Sequence, residues 1–117
     1  MKIIIAALLG AVLCGTAHGR SASGDDLNAF CKTFNGSTDM DTGAAVCFGY
    51  TSGISDNMTG NVCFPDGASN LFITYVFKKY LSDHPELHHL DASTLVRDAF
   101  EEYFPCDKLF ENQPRGA

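Results

Sequence analysis

The apolar positions of the chain follow a helical period most clearly between residues 69 and 104. Within 69–83 they fall at Phe72, Ile73, Val76, Phe77, Tyr80 and Leu81. Within 91–104 they return at Leu95, Val96, Ala99, Phe100 and Tyr103. Pro85 disfavours helical geometry at the residue before it, so the first helix should end by about Asp83. Two helices joined by so short a connection are expected to lie antiparallel, packed through their apolar faces.

Two further helices are predicted before this hairpin. One spans 25–31, where Asp25 caps the first turn while Phe30 and Cys31 face the core. The other spans about 42–58 and carries a face of small residues that includes Gly49 and Gly53. Glycines inside a helix are costly, so this pair indicates that a neighbouring backbone, in the same chain or in a second copy, passes close by. The predicted fold class is all-α, with about four helices.

The first residues follow a different pattern. A lysine precedes an apolar run, and small residues then continue to Gly19. This arrangement is typical of a secretory signal peptide and is too short to span a membrane. Cys14 raises the alternative of lipoprotein processing, which a leucine before it disfavours. The expected organisation is a signal peptide at 1–19, a flexible N-terminus at 20–24, a helical domain at 25–107 and a flexible tail at 108–117.

Four cysteines follow the predicted signal peptide, at positions 31, 47, 63 and 106. An even number in a small exported domain predicts two disulfides, for which three connectivities are possible. Cys63 precedes the first helix of the hairpin and Cys106 follows the second, so both should lie at the same end. Cys31 ends one helix and Cys47 lies early in the next. These positions favour the pairs Cys31–Cys47 and Cys63–Cys106.

The net charge of the chain is −6, and removal of 1–19 takes away one lysine and no acid. An acidic domain with scattered lysines and arginines lacks the electrostatic footprint of a nucleic-acid-binding protein. Such a charge suits a basic protein partner, although solubility alone also accounts for it.

The segment from Asp83 to Asp91, here called the acidic connection, contains the candidate chemistry. His84 and His88 lie four residues apart with Glu86 between them, but Pro85 interrupts any helix that could bring them onto one metal ion. No nucleophile motif or phosphate-binding loop is present, so we predict no metal, no cofactor and no enzymatic activity. The residues predicted to contact a partner are Asp83, His84, Glu86, His88 and Asp91.

Several short motifs occur in a fixed order along the chain. They are Cys47-Phe48-Gly49-Tyr50, Cys63-Phe64-Pro65, Tyr80-Leu81, His84-Pro85, Leu95-Val96 and Phe104-Pro105-Cys106. Together they resemble the Rap/Tai immunity-protein domain over about residues 27–106. Phe64 stands where that family more often has leucine, and the segment 70–74 lacks the glutamine that is frequent there.

This resemblance implies a small, all-helical, disulfide-containing protein of the periplasm. It implies an immunity protein that binds and blocks a peptidoglycan amidase delivered by type VI secretion, as a homodimer that plugs the cleft of the toxin with a loop. Besides the acidic connection, the long irregular segment 57–69 is a candidate for that loop. The alternative function is a general periplasmic binding module, such as an acid-stress chaperone, without a dedicated toxin.

Overall fold

The computed structural model describes residues 21–58 and 62–106. Within these ranges four α-helices follow one another, α1 (Gly24–Cys31), α2 (Thr42–Ser55), α3 (Asn70–Asp83) and α4 (Ala92–Tyr103), with a 3-10 turn at Pro85–Leu87. These helices confirm the all-α prediction, although α2 ends three residues earlier than expected. Among the described residues, no helix is both long and apolar enough to cross a membrane. The predicted signal peptide and the tail at 108–117 lie outside the described residues.

Short polar side chains fix where the helices begin. Ser23 caps α1, because its hydroxyl accepts from the Asp26 amide at 3.2 Å while the Asp26 carboxylate accepts from the Ser23 amide at 3.0 Å. The predicted cap at Asp25 is therefore wrong by two residues. Ser69 caps α3 as predicted. Asp41 caps α2, and the Ala44 amide, followed by the Thr33 hydroxyl, lowers the pKa of its carboxyl group.

A single core joins all four helices. Its largest fully buried side chains are Phe34, Phe77, Phe100, Leu27, Leu81, Leu95 and Val96. On α3 the buried face contains Ile73, Thr74, Phe77, Tyr80 and Leu81. Phe72 was expected on this face, but it is 48% exposed, and the predicted core position of Phe30 is also wrong because that side chain is 39% exposed.

Two disulfides join the helix ends in the predicted pairs, Cys31–Cys47 and Cys63–Cys106. The second pair is supported by a backbone hydrogen bond of 2.9 Å from the Cys63 amide to the Phe104 carbonyl. Phe64 adds ring contacts, with its centroid 5.2 Å from those of both Phe100 and Phe104. The segment that precedes α3 is thus attached to the end of α4 by covalent, polar and aromatic contacts.

The small-residue face of α2 remains open in the described part of the chain. A Cβ atom added at Gly49 or Gly53 would meet nothing within 4 Å. The explanation that another helix of the same chain packs closely there is therefore wrong for the described residues. The explanation by a second copy of the chain stays a prediction.

Candidate functional site

The acidic connection is held by residues 22–25, here called the N-terminal clamp. The Gly24 amide donates to the Leu90 carbonyl, the Asp25 amide to the His88 carbonyl, and the Ala92 amide to the Ala22 carbonyl, each at 2.8 Å. These bonds satisfy backbone groups at the starts of both α1 and α4, where helices leave amides unpaired. The connection is consequently an ordered surface between two helix ends. Residues 22–24 belong to the segment that the sequence predicts to be flexible.

Gly24 allows the clamp to approach this closely. A Cβ atom at this position would lie 2.6 Å from the Leu95 side chain and 2.8 Å from both the Cα and the carbonyl oxygen of His88. The His88 atoms belong to the backbone, so they cannot move aside as a flexible side chain would. Only glycine fits here without displacing the acidic connection.

Replacing Gly24 with alanine should lower the free energy of unfolding by about 1–3 kcal/mol, because the added methyl group overpacks a closed contact. Urea unfolding followed by circular dichroism measures this change. Gly53→Ala is the matched control, since the space around Gly53 is open. There alanine should leave stability unchanged or raise it by up to ~1 kcal/mol, because alanine is the better helix former. Equal effects of both variants would contradict the close contact at Gly24.

His88 is turned into the protein beneath the connection. Its side chain is only 13% exposed, and its Nε2 lies 2.6 Å from the Leu81 carbonyl oxygen. Because a carbonyl can only accept, Nε2 is assigned the proton, and Nδ1 faces the Asp25 carboxylate at 3.7 Å. Of the five residues predicted to contact a partner, His88 thus has the clearest structural task, since it joins α3, the connection and α1.

The carboxylates of the acidic connection point outward. The Glu86 carboxylate lies 3.2 Å from His84 Nδ1. The His84 ring also packs against the Tyr80 ring, with 4.4 Å between the ring centroids. The backbone amide of Glu86 and then the His84 side chain lower the pKa of the Glu86 carboxyl group, which therefore stays ionised below its usual range. Asp83 forms an exposed pair with Lys79 at 3.5 Å. Asp91 is also exposed, at the start of α4.

The clamp adds one carboxylate that the sequence analysis missed at this surface. Asp25 lies far from the acidic connection in sequence, but its side chain is beside His88 and 75% exposed. In the sequence, Asp25 is explained by helix capping alone, which does not indicate a surface shared with the acidic connection. A signal for it existed in Gly24, since a glycine at the start of a helix can mark a close backbone contact.

Within the described residues, no group of three or more histidine, cysteine, aspartate or glutamate side chains is arranged to hold a metal ion. The four cysteines at 31, 47, 63 and 106 are joined as disulfides. They therefore offer no thiolate to a metal or a substrate in this oxidised form.

A family model, that of Rap1a immunity proteins, matches residues 23–106. This range includes residues 23–25 of the N-terminal clamp, both disulfides and the whole acidic connection. No curated protein and no solved structure matches the chain significantly. The family and the disulfides fit an extracellular or periplasmic location. The family alone indicates an immunity function against a secreted effector. Because the match covers more than half of its length, the chain belongs to the family of Rap1a immunity proteins.

Proposed function

We propose that this chain is a periplasmic immunity protein that binds and blocks a peptidoglycan amidase effector delivered by type VI secretion. The observation that carries the proposal is the acidic connection, an exposed acidic surface whose backbone is fixed by two hydrogen bonds of 2.8 Å, with a third at Ala92 directly after it. The protein acts by binding and performs no catalysis. The family membership supplies the immunity function, and the resemblance to the Rap/Tai domain supplies the amidase as the target.

The fixed backbone conformation of the acidic connection favours tight binding. A flexible loop would lose conformational freedom when it entered the cleft of an enzyme, and this loss would oppose association. The clamp removes most of that cost before the partner arrives. The exposed carboxylates of Asp25, Glu86 and Asp91 then complement a basic rim, which favours fast association and selection of the correct partner.

The triple variant Asp83→Ala, Glu86→Ala and Asp91→Ala should bind the amidase about tenfold more weakly at low salt, since exposed ion pairs contribute ~0.2–1 kcal/mol each. Most of the difference from the wild type should disappear at high salt, where exposed charges are screened. Calorimetric titration against a peptidoglycan amidase effector, chosen from the genes that neighbour this one, measures both quantities.

The control for this experiment removes the same charge elsewhere, by the substitutions Asp39→Ala, Asp56→Ala and Glu101→Ala at exposed positions. It should bind like the wild type. Unchanged affinity of the first triple variant would exclude the acidic connection and leave the segment 57–69 as the candidate contact. Failure of the wild type to bind any such amidase would favour the alternative of a general periplasmic binding or acid-stress module.

A homodimer is part of the proposal because the resemblance implies one. The open face around Gly49 and Gly53 on α2 is a candidate seam, and the neighbouring Val46 leaves an apolar side chain 39% exposed. Small residues would let the helices of two copies approach closely there. A dimer of this kind would present two acidic connections to its surroundings.

A further inference from the structure

The outward face of α3 carries a second surface that the proposed function does not use. Phe72 and Tyr75 are 48% and 50% exposed, and the Lys79 side chain is 63% exposed. These residues are spaced by three and then four positions, which places them on one face of the helix. Isolated exposed apolar side chains are ordinary, but neighbouring aromatic rings beside a lysine form a continuous strip.

This strip, here called the α3 groove, contains two adjoining depressions. The larger has a volume of about 360 Å³ and is lined by Asn35, Gly36, Ser69, Leu71, Phe72 and Tyr75. The smaller has a volume of about 190 Å³ and is lined by Tyr75, Lys78, Lys79 and Ser82. Tyr75 borders both. Since a helix rises about 1.5 Å per residue, the apolar and basic ends are about 10 Å apart.

The positive charge of the described chain is concentrated at this groove. Its four lysine and arginine residues are Lys32, Lys78, Lys79 and Arg97. Two of them line the groove, and the Lys78 ammonium group donates to the carbonyl of Lys32 at 3.2 Å and to that of Phe34 at 2.6 Å. Two of the four cations therefore line one groove, in a chain with a net charge of −6. Lys79 is held only by an exposed contact with Asp83, so a ligand with negative charge complements this end of α3.

Two side-chain oxygens at the apolar end already accept hydrogen bonds within the protein. The side-chain oxygen of Asn35 accepts from the amide and the hydroxyl of Ser37, and the Ser69 hydroxyl accepts from the Phe72 amide. These two oxygens are therefore less available to donors from a ligand. An apolar side chain fits better, because it covers the exposed rings of Phe72 and Tyr75.

We propose that the α3 groove binds an acidic peptide segment of a protein partner. An apolar or aromatic side chain of the segment lies between Leu71, Phe72 and Tyr75, and a carboxylate about 10 Å away meets Lys79. That carboxylate replaces Asp83, whose contact with Lys79 is exposed and therefore weak. The chain thus has two binding surfaces of opposite charge, joined by one helix.

The test uses a synthetic hexapeptide with a phenylalanine near one end and two glutamates near the other, and a twin with lysines in place of the glutamates. The full mature protein, labelled with nitrogen-15, is titrated with each peptide and followed by amide chemical shifts. The acidic peptide should shift the α3 amides between Phe72 and Lys79 at millimolar concentration. The basic twin should leave them in place. Because no effector is used, the result is independent of the proposed immunity function.

Two variants with matched controls sharpen the test. Lys79→Glu should weaken binding of the acidic peptide about fivefold, as expected for one exposed ion pair, whereas Arg97→Glu on α4 should change it little. Tyr75→Ala should weaken both the binding and the shifts, whereas Tyr103→Ala, at another exposed ring, should not. Equal shifts with both peptides, or none at α3, would overturn the proposal. Self-association that covers Tyr75 without peptide would also overturn it, because a second copy would then occupy the groove.

Discussion

Replacing Phe77 with alanine is expected to lower the free energy of unfolding by about 3–5 kcal/mol. The Phe77 ring is fully buried in the middle of α3, in the core shared by all four helices. Its removal loses apolar burial and leaves a cavity that the rigid hairpin cannot close. Urea unfolding followed by circular dichroism gives the size of the loss.

Tyr75→Ala is the control for this experiment, because Tyr75 lies on the same helix but is half exposed. It should change the free energy of unfolding by no more than about 0.5 kcal/mol. Unfolding midpoints that fall together for the two variants would show that α3 is rotated relative to the structure described above.

Replacing both Cys63 and Cys106 with serine is expected to lower the free energy of unfolding by about 4 kcal/mol. The disulfide closes a loop over a sequence separation of 43 residues, and its loss frees the unfolded chain accordingly. The loss of stability is measured by urea unfolding of residues 20–117 without a reducing agent. The variant should fold into the same helices, since the ring contacts of Phe64 and the backbone hydrogen bond from residue 63 to Phe104 remain.

A loss below about 1 kcal/mol would contradict this expectation, since chain entropy predicts several times more. In that case the aromatic and backbone contacts alone would hold the end of α4 against the segment before α3. Mass spectrometry of a non-reducing digest provides the supporting check, because a peptide joining Cys31 to Cys106 would be inconsistent with both disulfides.

The sequence predicts the helices and disulfides well because the signals for them are local. Ser69 caps α3, Pro85 follows its end, and Cys63 and Cys106 flank the hairpin at one end. These features depend on neighbours within a few residues or on the simple geometry of an antiparallel pair. The membership in an immunity family likewise agrees with the resemblance carried by the order of the motifs.

The side of α3 that faces the core was harder to predict. Phe72 was assigned to the core because it is apolar and fits the helical period, whereas the structure buries Thr74. The Thr74 hydroxyl donates to the Asn70 carbonyl at 2.7 Å, so its burial leaves no unpaired polar group. A hydropathy pattern does not indicate that the Thr74 hydroxyl is hydrogen-bonded within its own helix. The same error concealed the exposed strip formed by Phe72 and Tyr75.

The surface at the acidic connection was predicted in part. The carboxylates at 83, 86 and 91 follow from the sequence, but the contribution of Asp25 depends on contacts between segments more than 60 residues apart. No periodicity in a single chain reports such a pairing. Only the tertiary structure shows that Gly24 of the clamp lies against the His88 backbone of the acidic connection, and that Asp25 lies beside the His88 ring.

The N-terminal clamp binds the acidic connection through main-chain atoms of residues 88, 90 and 92. Main-chain hydrogen bonds do not depend on which side chain a residue carries, so positions such as Glu86 and His89 are free to change without loss of the fold. An immunity protein of this construction can acquire a new set of surface charges by single substitutions while Gly24 and His88 stay as they are. Selection for a different effector would then change which partner is bound without lowering the free energy of unfolding.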